Sequence, residues 1–303
     1  MKSLVALRLV VASVLVSPAW AASPRDRDAI LQAQAALDRA GFSVGEIDGR
    51  EGSNTERAIR ALQEAHDLAA SGTLDDATRA ALEAGGESAL VSYTMTDADV
   101  AGPFTPIPSD MMAKAKLTAA GYSSPLEEIA ERVHASPALL TELNPGKRFD
   151  RAGESITVPN VRSGPQQPAA RVVVDAADLS VRVLDDAGKV IARYPASVGS
   201  EHDPLPVGEW KIEGVARNPR FHYNPKLFWD AKASQGKATI PAGPNNPVGV
   251  VWIDLSKEHY GIHGTPEPSR IAKTESHGCI RLTNWDASAL AEQVKPGTPA
   301  LLR

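Results

Sequence analysis

Cysteine is almost missing from this chain: one residue, Cys279, stands among 303. Exported proteins usually hold cysteines in disulfides, but a lone thiol has no partner within the chain, so a disulfide-stapled fold is excluded. Zinc patterns built on paired cysteines are excluded with it. Cys279 is left as a buried inert group, a group paired to another molecule, or a reactive thiol. Long apolar runs are missing too. The best, Leu9 to Val16, falls well short of the about 20 residues that a membrane span needs. There is no basic run either. With 32 basic and 37 acidic residues the net charge is −5. Neither nucleic acid nor an anionic membrane surface is therefore an expected partner.

What is present begins with an export signal. Lys2 and Arg8 precede and enter the short apolar run, and Ala19-Trp20-Ala21 offers small residues at the positions a signal peptidase reads. Residues 1–21 are expected to be removed before Ala22. That leaves 30 basic against 37 acidic residues in a chain without membrane insertion, exported to the periplasm or cell envelope.

The pattern then divides the chain into segments: 25–86, 90–161, a polar linker 162–169, and 170–303. In the first, Ile30, Ala33, Leu37 and Ala40 recur at helical spacing. Ser53-Asn54-Thr55-Glu56 reads as a capping box before Ala58, Ile59, Leu62 and Ala65. Asp75 caps a third helix through Leu82. The order Ile47-Asp48-Gly49, Gly52, Thr55, Ala58, Gln63 and Gly72-Thr73-Leu74-Asp75-Asp76-Ala77-Thr78 resembles a three-helix peptidoglycan-binding domain. In the second segment, Thr94-Met95-Thr96 reads as a first strand. Ser124-Pro125-Leu126-Glu127 and Ser136-Pro137 open two helices, Asn144-Pro145-Gly146 stops the second, and Ser155 to Pro159 closes as a strand. Strand-helix-helix-strand with Leu143-Asn144-Pro145 and Val158-Pro159 resembles a degenerate LysM-type module, interrupted by a proline-rich insertion.

Beyond the linker the period changes to two. Val172 and Val174, then Leu179, Val181 and Val183, alternate with polar neighbours, and Asp185-Asp186-Ala187-Gly188 turns the chain into Val190 to Tyr194. Gly208 to Ile212 and Val248 to Leu255 are further strands, and Asn284 to Val294 is a helix. The expected architecture is multidomain α+β: a small three-helix domain, a βααβ module, and a mostly-β C-terminal domain, sandwich or open barrel, with one late helix.

Two pieces of the last segment carry chemistry: Ile262-His263-Gly264-Thr265 and Ser276-His277-Gly278-Cys279-Ile280-Arg281-Leu282. A thiol needs its thiolate favoured to act as a nucleophile at neutral pH, and an imidazole is the usual means. Either His277, two residues away along an extended run, or His263, from another strand, meets that need. Gly278 allows backbone N–H groups to converge as an oxyanion hole requires. Arg281 favours a thiolate or a substrate carboxylate. The spacing of these groups matches no zinc pattern, so no metal or other cofactor is expected.

His-Gly followed after a loop by Ser-His-Gly-Cys-Ile-Arg-Leu is similar to the signature of the YkuD-type L,D-transpeptidases. Pro204-Leu205-Pro206-Val207-Gly208 resembles that family's Thr-Pro-x-Gly motif, with Leu205 in place of the usual threonine. The resemblance implies Cys279 as acylated nucleophile and His263 as general base and acid. His277, Gly278 and Cys279 would form the oxyanion hole, with Ser276 and Arg281 in support. Peptidoglycan stem peptides and glycan strands would be the substrate, and 3→3 cross-links or amine-acceptor attachments the products. Hydrolysis by the same residues, as an L,D-carboxypeptidase or amidase, and an inactive wall-binding scaffold are the alternatives. The run from Asn218 to Trp229, rich in aromatics and prolines, is either a flap over the cysteine or an ordinary loop.

Overall fold

The computed structural model describes residues 24–303 except Gly85, Pro165, Ala233 and His277; the side chains of residues 24–26 are also outside the description. The expected signal segment 1–21 lies outside the described residues. Among the described residues no helix is long and apolar enough to cross a membrane.

The N-terminal region is helical, with α1 (Pro24–Arg39), α2 (Ser53–Ala65) and α3 (Asp76–Glu83). Asp75 caps α3 by accepting the Thr78 N–H at 2.8 Å. The capping box expected at Ser53 is not formed. Gly52 is the N-cap of α2 and offers no side chain. Thr55 lies buried instead, its Oγ1 accepting a bond from Gln34 Nε2 at 3.2 Å. The next strand, β1 (Leu90–Thr94), sits earlier than the expected Thr94-Met95-Thr96. Thr96 is spent as the cap of α4 (Asp97–Ala101), in a reciprocal pair of bonds with Asp99. The insertion also holds α5 (Met111–Lys114). Then α6 (Pro125–Arg132) and α7 (Pro137–Leu143) open on Ser124 and Ser136, each accepting the backbone N–H three residues on. Strand β2 (Ser155–Pro159) returns antiparallel to β1. Asn144 ties α7 to it, donating to Leu140 O and Thr157 O and accepting from Thr157 N–H.

These two segments share one core. Leu37, Ile47 and Leu62 pack in the same cluster as Ile129, Leu140 and Ile156. Backbone bonds join them, Ile47 N–H to His134 O at 2.8 Å and Ser136 N–H to Ile47 O at 2.9 Å.

The C-terminal domain is mostly β. Its strands are β3 (Arg171–Asp175), β4 (Ser180–Leu184), β5 (Val190–Pro195), β6 (Ser197–Val198), β7 (Gly208–Arg217), β8 (Phe221–Tyr223), β9 (Ala238–Ile240), β10 (Val251–Leu255), β11 (Gly261–His263), β12 (Ile280–Arg281) and β13 (Pro299–Leu302), with α8 (Asn284–Gln293) between the last two. Nine of them form one sheet in the order β5-β4-β3-β13-β7-β10-β11-β12-β6. Its two end strands are consecutive in the chain, separated by Ala196 alone, so the sheet curls into a nearly closed barrel. The last strand occupies the middle, parallel to β3 and antiparallel to β7. Val172, Val181, Ile253, Ile262 and Ile280 point inward and meet Leu290 of α8. The pair β8–β9 stands apart as a separate ribbon.

The upstream segments are bonded into this domain. Gly41 O and Ser43 N–H bracket Arg193 of β5 at 2.9 and 2.8 Å. Below that bridge lie buried charges. Asp38 accepts from the Arg162 backbone N–H at 2.8 Å and faces His134 Nδ1 at 3.0 Å. The Arg162 guanidinium reaches Asp286 at 3.2 Å, and Ser43 donates to the same carboxylate at 2.9 Å. Burial raises the Asp38 carboxyl, but His134 and Arg162 outweigh it and hold the group well below the ordinary carboxylate range. Deleting one partner of such a pair leaves an uncompensated buried charge. Arg162, at the start of the polar linker, is thus anchored.

Candidate active site

Strand register brings the chemistry-bearing residues together. β10 pairs with β11 so that Trp252 faces His263 and Asp254 faces Gly261. β11 runs parallel to β12, with Ile262 beside Ile280 and His263 beside Arg281. Ile253, Ile262 and Ile280 are fully buried on the core side. Alternation therefore puts Trp252, His263 and Arg281 on the other face. Cys279 lies in the bend just ahead of β12, two residues before Arg281. Gly261 is two residues before His263 on β11; a Cβ there would stand 2.5 Å from the Trp252 ring.

His263 is held on two sides. Its ring stacks on Trp252, centroids 5.4 Å apart and planes 11° from parallel. Its Nδ1 lies 2.7 Å from Gly264 O. A carbonyl oxygen only accepts, so Nδ1 carries the hydrogen and Nε2 is the free base. Burial lowers the pKa of this imidazole to about 4; the Gly264 bond opposes the shift and the Arg281 charge adds to it.

Cys279 is half-buried, with Sγ 3.9 Å from His259 O. Burial raises its pKa, against the Gly261 N–H and the Arg281 charge, and Asp203 raises it further. At neutral pH the thiol and the imidazole are consequently both uncharged.

The remaining expected residues are placed as follows. Ser276 is buried and donates from Oγ to Cys279 O at 2.6 Å, while its N–H binds Gly199 O at 2.9 Å. It closes the turn that presents the thiol. Gly278 has φ +89°, and a Cβ there would meet the Tyr260 ring at 3.0 Å. Only glycine takes both the left-handed backbone and that contact without strain. The Arg281 guanidinium donates to Glu275 O. His277 lies outside the described residues. No cluster able to hold a metal ion occurs among the described residues.

The aromatic run proves to be part of the β8–β9 ribbon, with Phe228 set against Phe221 and Tyr223 at centroid distances of 6.3 and 5.3 Å. Trp229 is 61% exposed and lies 4.6 Å from the His202 ring, in the loop that leads from β6 to β7.

Sequence reasoning missed Trp252 and Asn284. Trp252 had a usable signal, an aromatic on the polar-side alternation of a strand predicted next to Ile262-His263. Asn284 opens α8 as expected, and its amide is also wedged against the residue that follows β11: a Cβ on Gly264 would lie 2.2 Å from Asn284 Oδ1.

Known proteins match this sequence. The L,D-transpeptidase catalytic domain family (YkuD) matches residues 169–302, and a peptidoglycan binding domain family matches residues 26–82. A Bacillus licheniformis protein carrying the name L,D-transpeptidase YkuD is 34% identical over 175 residues, which are 57% of this chain and 90% of that protein. Its Bacillus subtilis namesake is 33% identical over 174 residues, again 90% of its length. The Escherichia coli protein named L,D-transpeptidase YbiS is 27% identical over 59% of this chain and 60% of its own. Among solved structures, an L,D-transpeptidase from Xylanimonas cellulosilytica aligns over 91% of this chain and 93% of its own, at 17% identity and a TM-score of 0.38, too loose a likeness to argue from. The catalytic match spans the β domain that carries His263 and Cys279, and identity of about a third runs through nine-tenths of two relatives; the chain belongs to the YkuD-type L,D-transpeptidase family.

Proposed function

We propose that the protein is a peptidoglycan L,D-transpeptidase that works through a Cys279 thioester, with His263 as general base and then general acid. The observation that carries this reading is the His263 tautomer. Nδ1 is committed to Gly264 O, so Nε2 is the unprotonated nitrogen and can take the proton of a thiol. In the first half-reaction Sγ attacks the carbonyl carbon of the third stem residue, and its proton passes to Nε2. The oxyanion is met by the backbone N–H groups of His277, Gly278 and Cys279. On collapse the C–N bond to the terminal D-alanine breaks, and the leaving amine takes the proton from His263. In the second, an acceptor amine attacks the thioester and loses a proton to His263, which returns it to sulfur. With the side-chain amine of another stem as acceptor, the product is a 3→3 cross-link. Arg281, beside His263 in register, favours negative charge at sulfur, and Ser276 holds the turn.

Incubating the protein with a defined tetrapeptide stem and weighing the products tests the reaction. A cross-linked dimer with release of one D-alanine per link is the expected result. A tripeptide with no dimer would make the protein an L,D-carboxypeptidase. No product, with the thiol intact, would leave a wall-binding scaffold.

The upstream segments, one peptidoglycan-binding and one LysM-like, hold the enzyme on its substrate, and export by the 1–21 signal brings it there. The full-length Cys279→Ala protein should be recovered from the envelope fraction with Ala22 at its N-terminus, and should sediment with insoluble peptidoglycan. Retention of Met1 would contradict export. Recovery only in the supernatant would leave the upstream segments a structural role alone.

A further inference from the structure

The amide of Asn284 is only 2% exposed, and each of its polar groups is spoken for. Oδ1 accepts the Val250 N–H at 3.2 Å. Nδ2 donates to Pro244 O at 3.1 Å and to both oxygens of Glu131 at 3.1 and 3.0 Å. The amide fills the space between Gly249 and Gly264, at each of which a Cβ would come within 2.2 Å of Oδ1. Gly264 in turn supplies the carbonyl that orients His263. Val250, Pro244, Gly249 and Gly264 belong to the catalytic domain, but Glu131 does not. It comes from α6 of the LysM-like segment.

We propose that Glu131 is a positioning residue for His263, acting from the upstream segment through Asn284 and Gly264. The proposal rests on the reading above, in which His263 is the base. If Glu131 is withdrawn, one Nδ2 hydrogen of a buried amide loses its acceptor, and leaving such a group unpaired is costly. The amide then turns or admits water, and Gly264, whose Cα packs against it, loses that support. An imidazole misplaced by a fraction of its working distance loses the alignment on which proton transfer depends.

The setting supports a built contact and not an accident of packing. Tyr122 donates to Glu131 Oε1 at 3.2 Å. The neighbouring stretch clamps the turn that carries Pro244: Ala120 N–H binds Ala242 O at 3.0 Å, Asn245 N–H binds Ala120 O at 2.9 Å, and Asn245 Nδ2 reaches Gly121 O at 2.9 Å and Glu127 Oε1 at 2.7 Å. Burial pushes the Glu131 carboxyl up to about 7, with the Asn284 and Tyr122 bonds opposing, Glu127 adding to the rise and His134 reducing it. Charged or neutral, the group keeps an oxygen for Asn284. A glutamine can therefore stand in for it, accepting from Asn284 and donating to the Tyr122 hydroxyl.

The test uses the full chain and a carbapenem as acylating probe, with the acylation rate constant separated from the binding constant by varying probe concentration. Glu131→Ala should lower the acylation constant about 10- to 100-fold with binding unchanged, while Glu131→Gln stays within about twofold of wild type. The acid limb of the rate profile, set by His263, should move upward in Glu131→Ala as the ring gains solvent, and stay in place in Glu131→Gln. Circular dichroism checks that each variant is folded. Should Glu131→Ala not fold, Glu131→Asp, which draws the carboxylate back by one methylene, takes its place with the same expectations. A wild-type acylation constant in the alanine or aspartate variant would overturn the proposal. So would a loss confined to binding, or an equal loss in Glu131→Gln. A wild-type protein that takes no adduct would instead defeat the Cys279 reading, so the two failures are distinguishable.

Discussion

Cys279→Ser should take no carbapenem adduct, where wild type takes one per chain. The strained amide of the probe presents its carbonyl to sulfur, and the opened ring stays attached as a thioester. Intact-protein mass spectrometry should show a single added mass, and digestion should map it to the Ser276–Arg281 segment. Serine keeps the size and the turn, including the Ser276 bond to the backbone carbonyl of residue 279, so the variant should fold. An alcohol is the weaker nucleophile, and its proton is far harder to remove than that of a thiol. The base at hand is also feeble: with a pKa of about 4, His263 can relieve a thiol during attack but is poorly matched to a hydroxyl. Labelling in Cys279→Ser at the wild-type rate, or an adduct on another residue in wild type, would remove Cys279 from the mechanism.

His263→Ala should slow acylation by about 10²–10⁴, the usual loss when a general base is removed. The pH dependence makes the result specific. Burial holds His263 neutral down to about 4, and a protonated imidazole cannot accept the thiol proton. The wild-type rate should thus fall as the pH drops through about 4, well below the ordinary histidine range. The alanine variant has no such limb. Its rate should instead rise tenfold per pH unit as the Cys279 thiol ionises by itself, and approach wild type only at alkaline pH, since burial raises that thiol's pKa. A wild-type acid limb near 6.5, or a fast His263→Ala protein, would transfer the role of base to another group, with His277 the first candidate.

Local rules of the polypeptide carried the sequence reading wherever an element is decided by its own residues. Ser124-Pro125 and Ser136-Pro137 open helices because hydroxyl and pyrrolidine act within one turn. The alternation of Val172, Val174, Val181 and Val183 marked β3 and β4 because one face of each is core. The reading failed at element ends, where the local signal allows more than one boundary. Gly52, and not Ser53, is the N-cap of α2, and Thr96 leaves the strand to cap α4 with Asp99. The candidate site divides the same way. His263 and Cys279 stood out because a histidine, a lone cysteine and a glycine near one another are unusual. The placement of His263 beside Arg281 came from the register of two parallel strands, which neither strand encodes alone. The contact of Glu131 with Asn284 spans 153 positions, and nothing around either residue announces it.

The place of β13 governs when the enzyme can exist at all. Pro299–Leu302 bonds β3 on one side and β7 on the other, so it joins the hairpins that precede it to the strands that carry His263 and Cys279. A growing or threading chain makes these residues after everything they must unite. Until then β3 and β7 have no connection through the sheet, and pairings between segments so far apart form slowly. The sheet that frames His263 is thereby left incomplete in any chain that stops short of β13.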